Sequence, residues 1–246
     1  MSDSKVILIT GGSSGIGRAA AMGFAEAGYR VAICGRRMGA LQDVSSASGA
    51  QAFACDVTDP DDVTRLLGSV ESAFGRIDVL FNNAGQAAPA VNFGDQDVSK
   101  WRSMIDTNLN GAFYVAREAF RLMRAQSPQG GRIINNGSIS ATMPRPGAAP
   151  YSASKSAISG LTRSISLDGR QFGIACGQID IGNTATEMTG EMSGGVLQAD
   201  GSIAPEPTFS VAHVVDALLY MAGLPLEANV QFMTVMATKM PYIGRG

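Results

Sequence analysis

The chain has 246 residues, 45% of them hydrophobic and 16% charged, with 19 Lys and Arg against 21 Asp and Glu for a net charge of -2. That balance argues against a nucleic-acid partner and against a disordered charged tail, and the apolar runs stay well short of the ~18 residues that a membrane span needs. Three cysteines make no disulfide framework and suit a reducing cytoplasm, and no charged segment followed by an apolar one announces a secretory signal.

Val6-Ile7-Leu8-Ile9-Thr10 reads as a β-strand and residues 15–28 as a helix. Strands follow at 31–34, 50–55, 77–82, 132–136, 174–180 and 229–236, and helical stretches at 37–47, 59–74, 99–125, 151–170 and 210–222. Nearly continuous apolar strands alternating with helices predict a doubly wound α/β fold, a parallel sheet with helices on both faces. No linker divides the chain, so residues 1–246 read as a single domain. The stretch 183–207 breaks the pattern, with Gly190, Gly194, Gly195, Gly201, Pro205 and Pro207 and no clean periodicity. A loop that long inside a compact domain is more often functional than idle, so it is expected to form a substrate lid.

The first strand runs into Gly11-Gly12-Ser13-Ser14-Gly15-Ile16-Gly17 and then a helix. Unpaired N–H groups and partial positive charge at a helix N-terminus bind phosphate, and glycine lets the backbone approach it, so the loop is expected to cradle a nucleotide rather than serve as a plain turn. The second strand ends Cys34-Gly35-Arg36-Arg37. An NAD site would carry a carboxylate here for the ribose hydroxyls; a glycine stands in its place, and two arginines follow 19 and 20 residues beyond Gly17. A guanidinium fork pairs well with a 2′-phosphate, which points to NADP(H); a solvated arginine pair is the alternative. Tyr151 and Lys155 are four residues apart and share one helix face. A nearby ammonium, helped by an oxidised nicotinamide cation, is expected to draw the phenol below its ordinary value of about 10, so that it can exchange a proton with a substrate oxygen.

Several motifs in this order resemble the classical short-chain dehydrogenase/reductase (SDR) family: the Thr-Gly-x-x-x-Gly-x-Gly spacing from Thr10 to Gly17, Asp56-Val57, Asn82-Asn83-Ala84-Gly85, Asn108, Ser138 and Tyr151-x-x-x-Lys155. The resemblance implies a Rossmann-type seven-stranded sheet in the order 3-2-1-4-5-6-7 and a homo-oligomer, dimer or tetramer. It implies an oxidoreductase that moves a hydride between NADP(H) and a carbonyl or alcohol carbon of a small molecule. By resemblance, Gly11, Ser13, Ser14, Ile16 and Gly17 belong to the diphosphate cradle, with Arg36 and Arg37 beside the 2′-phosphate. Asp56 and the Val57 backbone would hold the adenine, although a turn or cap before Thr58-Asp59-Pro60 competes for Asp56. Asn83, Ala84 and Gly85 would face the nicotinamide ribose, Lys155 would bond that ribose, and Thr184 and Thr186 would hold the carboxamide. Ser138 would hold the substrate oxygen beside Tyr151, and Asn108 would hold a water linking Lys155 to solvent.

The chain departs from the family at Gly137-Ser138, where two serines are usual, and at Ile181-Gly182, where Ile181 replaces a proline. Loss of the ring leads us to expect a more mobile lid entrance. The C-terminal Phe232-Met233-Thr234-Val235-Met236 is somewhat like members that act on 3-hydroxy acids. Rival readings are a non-catalytic NADP-binding redox sensor or regulator, and an isomerase or epimerase on the same fold. His213 reads as a solvated helix histidine with no metal site, Cys34 and Cys55 as neighbouring buried thiols, and Arg145 as a surface loop arginine rather than a grip on a substrate carboxylate.

Overall fold

The computed structural model describes residues 4–185 and 195–243. The first half of the chain alternates β1 (Val6–Thr10), α1 (Gly15–Glu26), β2 (Arg30–Gly35), α2 (Met38–Ser48), β3 (Gln51–Ala54), α3 (Pro60–Phe74) and β4 (Val79–Asn82). Then come α4 (Val98–Ile105), α5 (Ala112–Ala125), β5 (Gly131–Asn136), α6 (Ala149–Gly169) and β6 (Ile174–Ile181). The chain closes with two short strands, β7 (Val196–Leu197) and β8 (Ile203–Ala204), then α7 (Ala212–Gly223) and β9 (Phe232–Val235).

Seven parallel strands pair in the order β3-β2-β1-β4-β5-β6-β9. This is a Rossmann-like α/β fold, and its order is the expected one, with β9 as the seventh strand of the sheet. Strand alternation decides which helix each side chain meets. Ile7, Ile9, Ile33 and Phe81 pack with Ala20 and Phe24 of α1, Leu41 of α2 and Leu218 of α7. Leu8, Ala32, Leu80 and Ile133 point the other way, against Val63, Leu66 and Val70 of α3 and Val115 and Met123 of α5. Both faces being covered, the strands carry no polar alternation, which is why they read as continuous apolar runs.

The stretch expected to be one long helix at 99–125 is broken by a π-turn at Asp106–Gly111 that joins α4 to α5. Periodicity does not register such a turn, because it inserts a residue without removing the apolar stripe. The lid stretch, read as aperiodic, contains the β7–β8 hairpin, Val196 opposite Ala204 and Leu197 opposite Ile203. No helix among the described residues is long and apolar enough to cross a membrane. Cys34, Cys55 and Cys176 are buried and free, and His213 is exposed on α7 with Asp216 at 3.7 Å.

Candidate active site

The C-terminal ends of β1, β2, β4, β5 and β6 open onto a cleft of about 480 Å³. One end is formed by Gly11, Ser13, Ser14 and Ile16 with Gly35, Arg36, Arg37, Asp56 and Val57; the other by Asn83, Ala84, Gly85, Tyr151, Lys155 and Thr184. Ligands of open α/β sheets bind at this edge, where strand order reverses about the first strand.

The glycine loop fits an anion for local reasons. Gly11 sits at φ 65°, and a Cβ there would lie 3.0 Å from the Ala84 backbone. Ser14 is the N-cap of α1, yet its hydroxyl makes no cap bond, which leaves the first N–H groups of the helix to a ligand. Gly17 does not line the cleft; a Cβ there would meet Gly11 O at 2.2 Å, so its role is to let α1 pack against the loop. Thr10 Oγ1 accepts from Asn83 N at 2.9 Å and Ala84 N at 2.8 Å, while Asn83 Nδ2 donates to Thr10 O at 2.9 Å. Asn136 Nδ2 donates to Asn83 Oδ1 at 2.9 Å, which ties the glycine loop to β5. Arg36 and Arg37 are exposed at the cleft and make no ion pair among the described residues. Asp56 lines the cleft, but its Oδ1 is occupied by Thr58, accepting from N at 3.0 Å and Oγ1 at 2.8 Å, so the turn role weighed against it is present.

At the far end, Tyr151 and Lys155 lie on the first turns of α6, and Ser138 caps a short 3-10 turn after β5, its Oγ accepting from Ser140 N at 3.1 Å. Lys155 is 5% exposed and donates from Nζ to Asn136 O at 2.7 Å. Burial lowers its ammonium to about 8, and Asp180 opposes that fall. Lys155 by itself does not make the phenol of Tyr151 acidic. Desolvation raises Tyr151 above the ordinary value, against a hydrogen bond from Ser138 and the charge of Arg145, which both favour the phenolate. The Lys155 nitrogen stands 5.7 Å from the Tyr151 ring centroid rather than on the phenol oxygen.

Asn108 lies in the π-turn, buried, with its side chain fully engaged: Oδ1 accepts from Gln86 N at 2.8 Å and Nδ2 donates to Gln86 O at 2.9 Å and Ser154 Oγ at 3.3 Å. Any water held here would fall to the main chain, whose hydrogen-bond ladder the π-turn interrupts.

With this geometry, the sequence profile described as short chain dehydrogenase matches residues 5–195. The chain belongs to the short-chain dehydrogenase family. As a member it is an oxidoreductase. A 3beta-hydroxysteroid dehydrogenase of Mediterraneibacter gnavus is 35% identical over 209 residues, 83% of this chain and 75% of the relative. Sulfoacetaldehyde reductase 2 of Chromohalobacter salexigens is 32% identical over 244 residues, 97% of this chain and 96% of the relative. Among solved structures, the closed form of serine dehydrogenase complexed with NADP+ superposes with a TM-score of 0.85 at 25% identity, covering 98% of each chain.

Ile181, which stands where the family has a proline, ends β6 opposite Val235 of β9, and Gly182 N then donates to Val235 O at 2.9 Å. One feature of this SDR chain differs from expectation. Arg145 is not a free surface arginine. It forms an ion pair with Glu206 and donates to Asn183 Oδ1 at 2.7 Å, and Asn183 Nδ2 donates to Glu206 Oε2 at 2.8 Å. Desolvation pushes Glu206 up, but the bonds from Arg145 and Asn183 outweigh it and hold the carboxyl below its usual value. The loop before α6 is thereby fastened to the lid segment. Thr184 is buried beside Phe209, to whose carbonyl its hydroxyl donates at 3.3 Å; Thr186 lies outside the described residues. Reading from sequence passed over Asn136, which links Asn83 to Lys155, and Asp180 behind Ser138; neither belongs to a short spaced motif that could have flagged it.

Proposed function

We propose that this oxidoreductase uses NADP(H) to interconvert a carbonyl and an alcohol on a small molecule, with Tyr151 as the acid and base. The observation that carries this reading is convergence: the glycine loop with Arg36 and Arg37 lies at one end of a single cleft, and Tyr151 and Lys155 line its other end, with Ser138 beside them. Bound there, the dinucleotide supplies or accepts the hydride at its nicotinamide. Arg36 and Arg37 hold the 2′-phosphate, with Gly35 leaving the ribose without a competing carboxylate. Ser138 donates its hydroxyl hydrogen to the substrate oxygen, and Tyr151 gives that oxygen a proton as the carbon is reduced, or takes it back in oxidation. Burial favours the protonated phenol, the form that donates in reduction. Lys155 holds the nicotinamide ribose, and Thr184 with Thr186 orients the carboxamide. The relatives' printed activities, on a hydroxysteroid and on sulfoacetaldehyde, support the reaction class and differ in substrate.

The test is NADPH consumption against a panel of ketones and aldehydes, repeated with Tyr151→Phe. Turnover falls by about 10²- to 10⁴-fold, the range of a lost general acid, while NADPH binding followed by fluorescence stays intact. Turnover close to the parent rate in Tyr151→Phe would remove the mechanism. Substrate turnover without net change in NADPH would favour the isomerase reading, and bound NADPH with no turnover of any carbonyl the sensor reading.

A further inference from the structure

Asp180 is a half-buried acid beside Ser138, Tyr151 and Lys155, and the mechanism above makes no use of it. It sits near the end of β6, one residue beyond Ile179, which is the register partner of Asn136. Its Oδ1 accepts from Ser138 N at 3.0 Å and from Gln178 Nε2 at 2.7 Å. Gln178 is itself fixed from below. Its Oε1 accepts from Thr162 Oγ1 at 3.0 Å, and its Nε2 also donates to Ser159 Oγ at 2.9 Å. Asn135 Nδ2 donates to Thr162 Oγ1 at 2.9 Å and Asn82 Nδ2 to Asn135 Oδ1 at 3.1 Å, so a buried polar chain crosses β4, β5, α6 and β6 and ends on the carboxylate. A side chain at 137 is incompatible with that end point: a Cβ on Gly137 would lie 2.0 Å from Asp180 Oδ1 and 2.6 Å from Gln178 Nε2. The glycine that departs from the family pattern is therefore the partner of this carboxylate.

The charges around it are few. From α6, Lys155 and Tyr151 lie within its electrostatic range; Arg145, from the loop before α6, acts on Tyr151 and is paired with Glu206 of the lid segment. Lys155 is enclosed, its Nζ bonded to the neutral carbonyl of Asn136 rather than to a carboxylate; the charge of Asp180 acts on it without a direct ion pair, while burial raises Asp180 itself. An ammonium in a dry site persists only if an opposite charge offsets its lost hydration.

We propose that Asp180 is a positioning residue for the reaction: its carboxylate fixes the Ser138 backbone from behind and is the counter-charge that keeps Lys155 an ammonium inside the cleft. The idea rests on the reading of Ser138, Tyr151 and Lys155 as reaction groups, and it adds a pH dependence that this reading lacks. The sign follows from burial. A lysine whose ammonium is stabilised by Asp180 loses its proton at lower pH once that charge is gone, so the deficit in activity grows as pH rises.

The chain has four lysines, Lys5, Lys100, Lys155 and Lys239, so ¹³Cε-lysine NMR of the cofactor-free protein resolves each one, with Lys155→Arg assigning the signal. Lys155 is expected to titrate near 8 in the parent protein and at clearly lower pH in Asp180→Asn. Asp180→Ser, which keeps a neutral acceptor near Ser138 N, is expected to move the midpoint the same way. In the folded Asp180→Asn variant, kcat/KM at about pH 8.5 falls about tenfold more than at about pH 6. A Lys155 midpoint unchanged in either folded variant, or a loss of activity equal at both pH values, overturns the proposal. Tyr151→Phe with full turnover would instead remove the reaction reading, and the lysine titration, which needs neither substrate nor cofactor, would still judge the charge pairing by itself.

Discussion

The two ends of the cleft are built differently. The end proposed for the dinucleotide depends mostly on main chain: a glycine loop and an uncapped helix N-terminus, joined by the exposed arginines at the end of β2, all within about 30 residues of one another. The end proposed for the reaction depends on side chains brought from β4, β5, α6, β6 and the 195–207 stretch, held by hydrogen bonds such as Asn82–Asn135 and Gln178–Asp180. The first kind of site resists most side-chain changes and fails when backbone approach is blocked. The second fails when one polar partner is removed, because the others are left buried without it.

Three variants sharpen that contrast. The largest effect is expected at the reaction end. Arg145→Ala leaves the buried Glu206 carboxylate without its guanidinium, and stability measured by urea unfolding falls by about 3 kcal/mol, the low end for breaking a buried ion pair, since Asn183 and Gln198 still donate to Glu206. A change within experimental error would mean that the lid is not fastened there. Next, at the dinucleotide end, Gly17→Ala drives a methyl group against Gly11 O, so α1 must shift. Overpacking of this kind costs about 1–3 kcal/mol, and it should appear as weaker NADPH binding in calorimetry together with a lower melting temperature. Unaltered binding would show that the loop tolerates what its geometry forbids. The smallest effect is one of preference. Gly35→Asp has room, its Cβ standing 3.8 Å from Leu41 Cδ2 and Ser13 Oγ, and combined with Arg36→Asp it removes a cation and adds the ribose-binding acid. The ratio of kcat/KM for NADPH over NADH should drop by about 10- to 100-fold, the worth of one or two charge-assisted bonds. A parent enzyme that already prefers NADH would end the 2′-phosphate assignment.

The glycine loop and the Tyr151/Lys155 pair were legible because their spacing is local: a strand-to-helix turn and one step along a helix face. The strand order was legible through family resemblance and not through periodicity, which cannot tell which strands pair. Arg145 was misjudged for the complementary reason. Its partners Asn183 and Glu206 are 38 and 61 residues away, and an isolated loop arginine looks solvated until those two residues are brought to it.

By itself the sequence determined the alternating elements, the glycine loop between β1 and α1 and the Tyr151/Lys155 pair on one helix face, because each depends on neighbours within a few positions. The tertiary structure alone decided the protonation balance: which groups are dry, that Tyr151 is raised by burial while Lys155 is lowered, and that Asp180 stands behind Ser138 in the space left by Gly137. Charge in a cleft depends on distance and on exclusion of water, and both are set by strands and helices that meet across the sheet rather than along the chain.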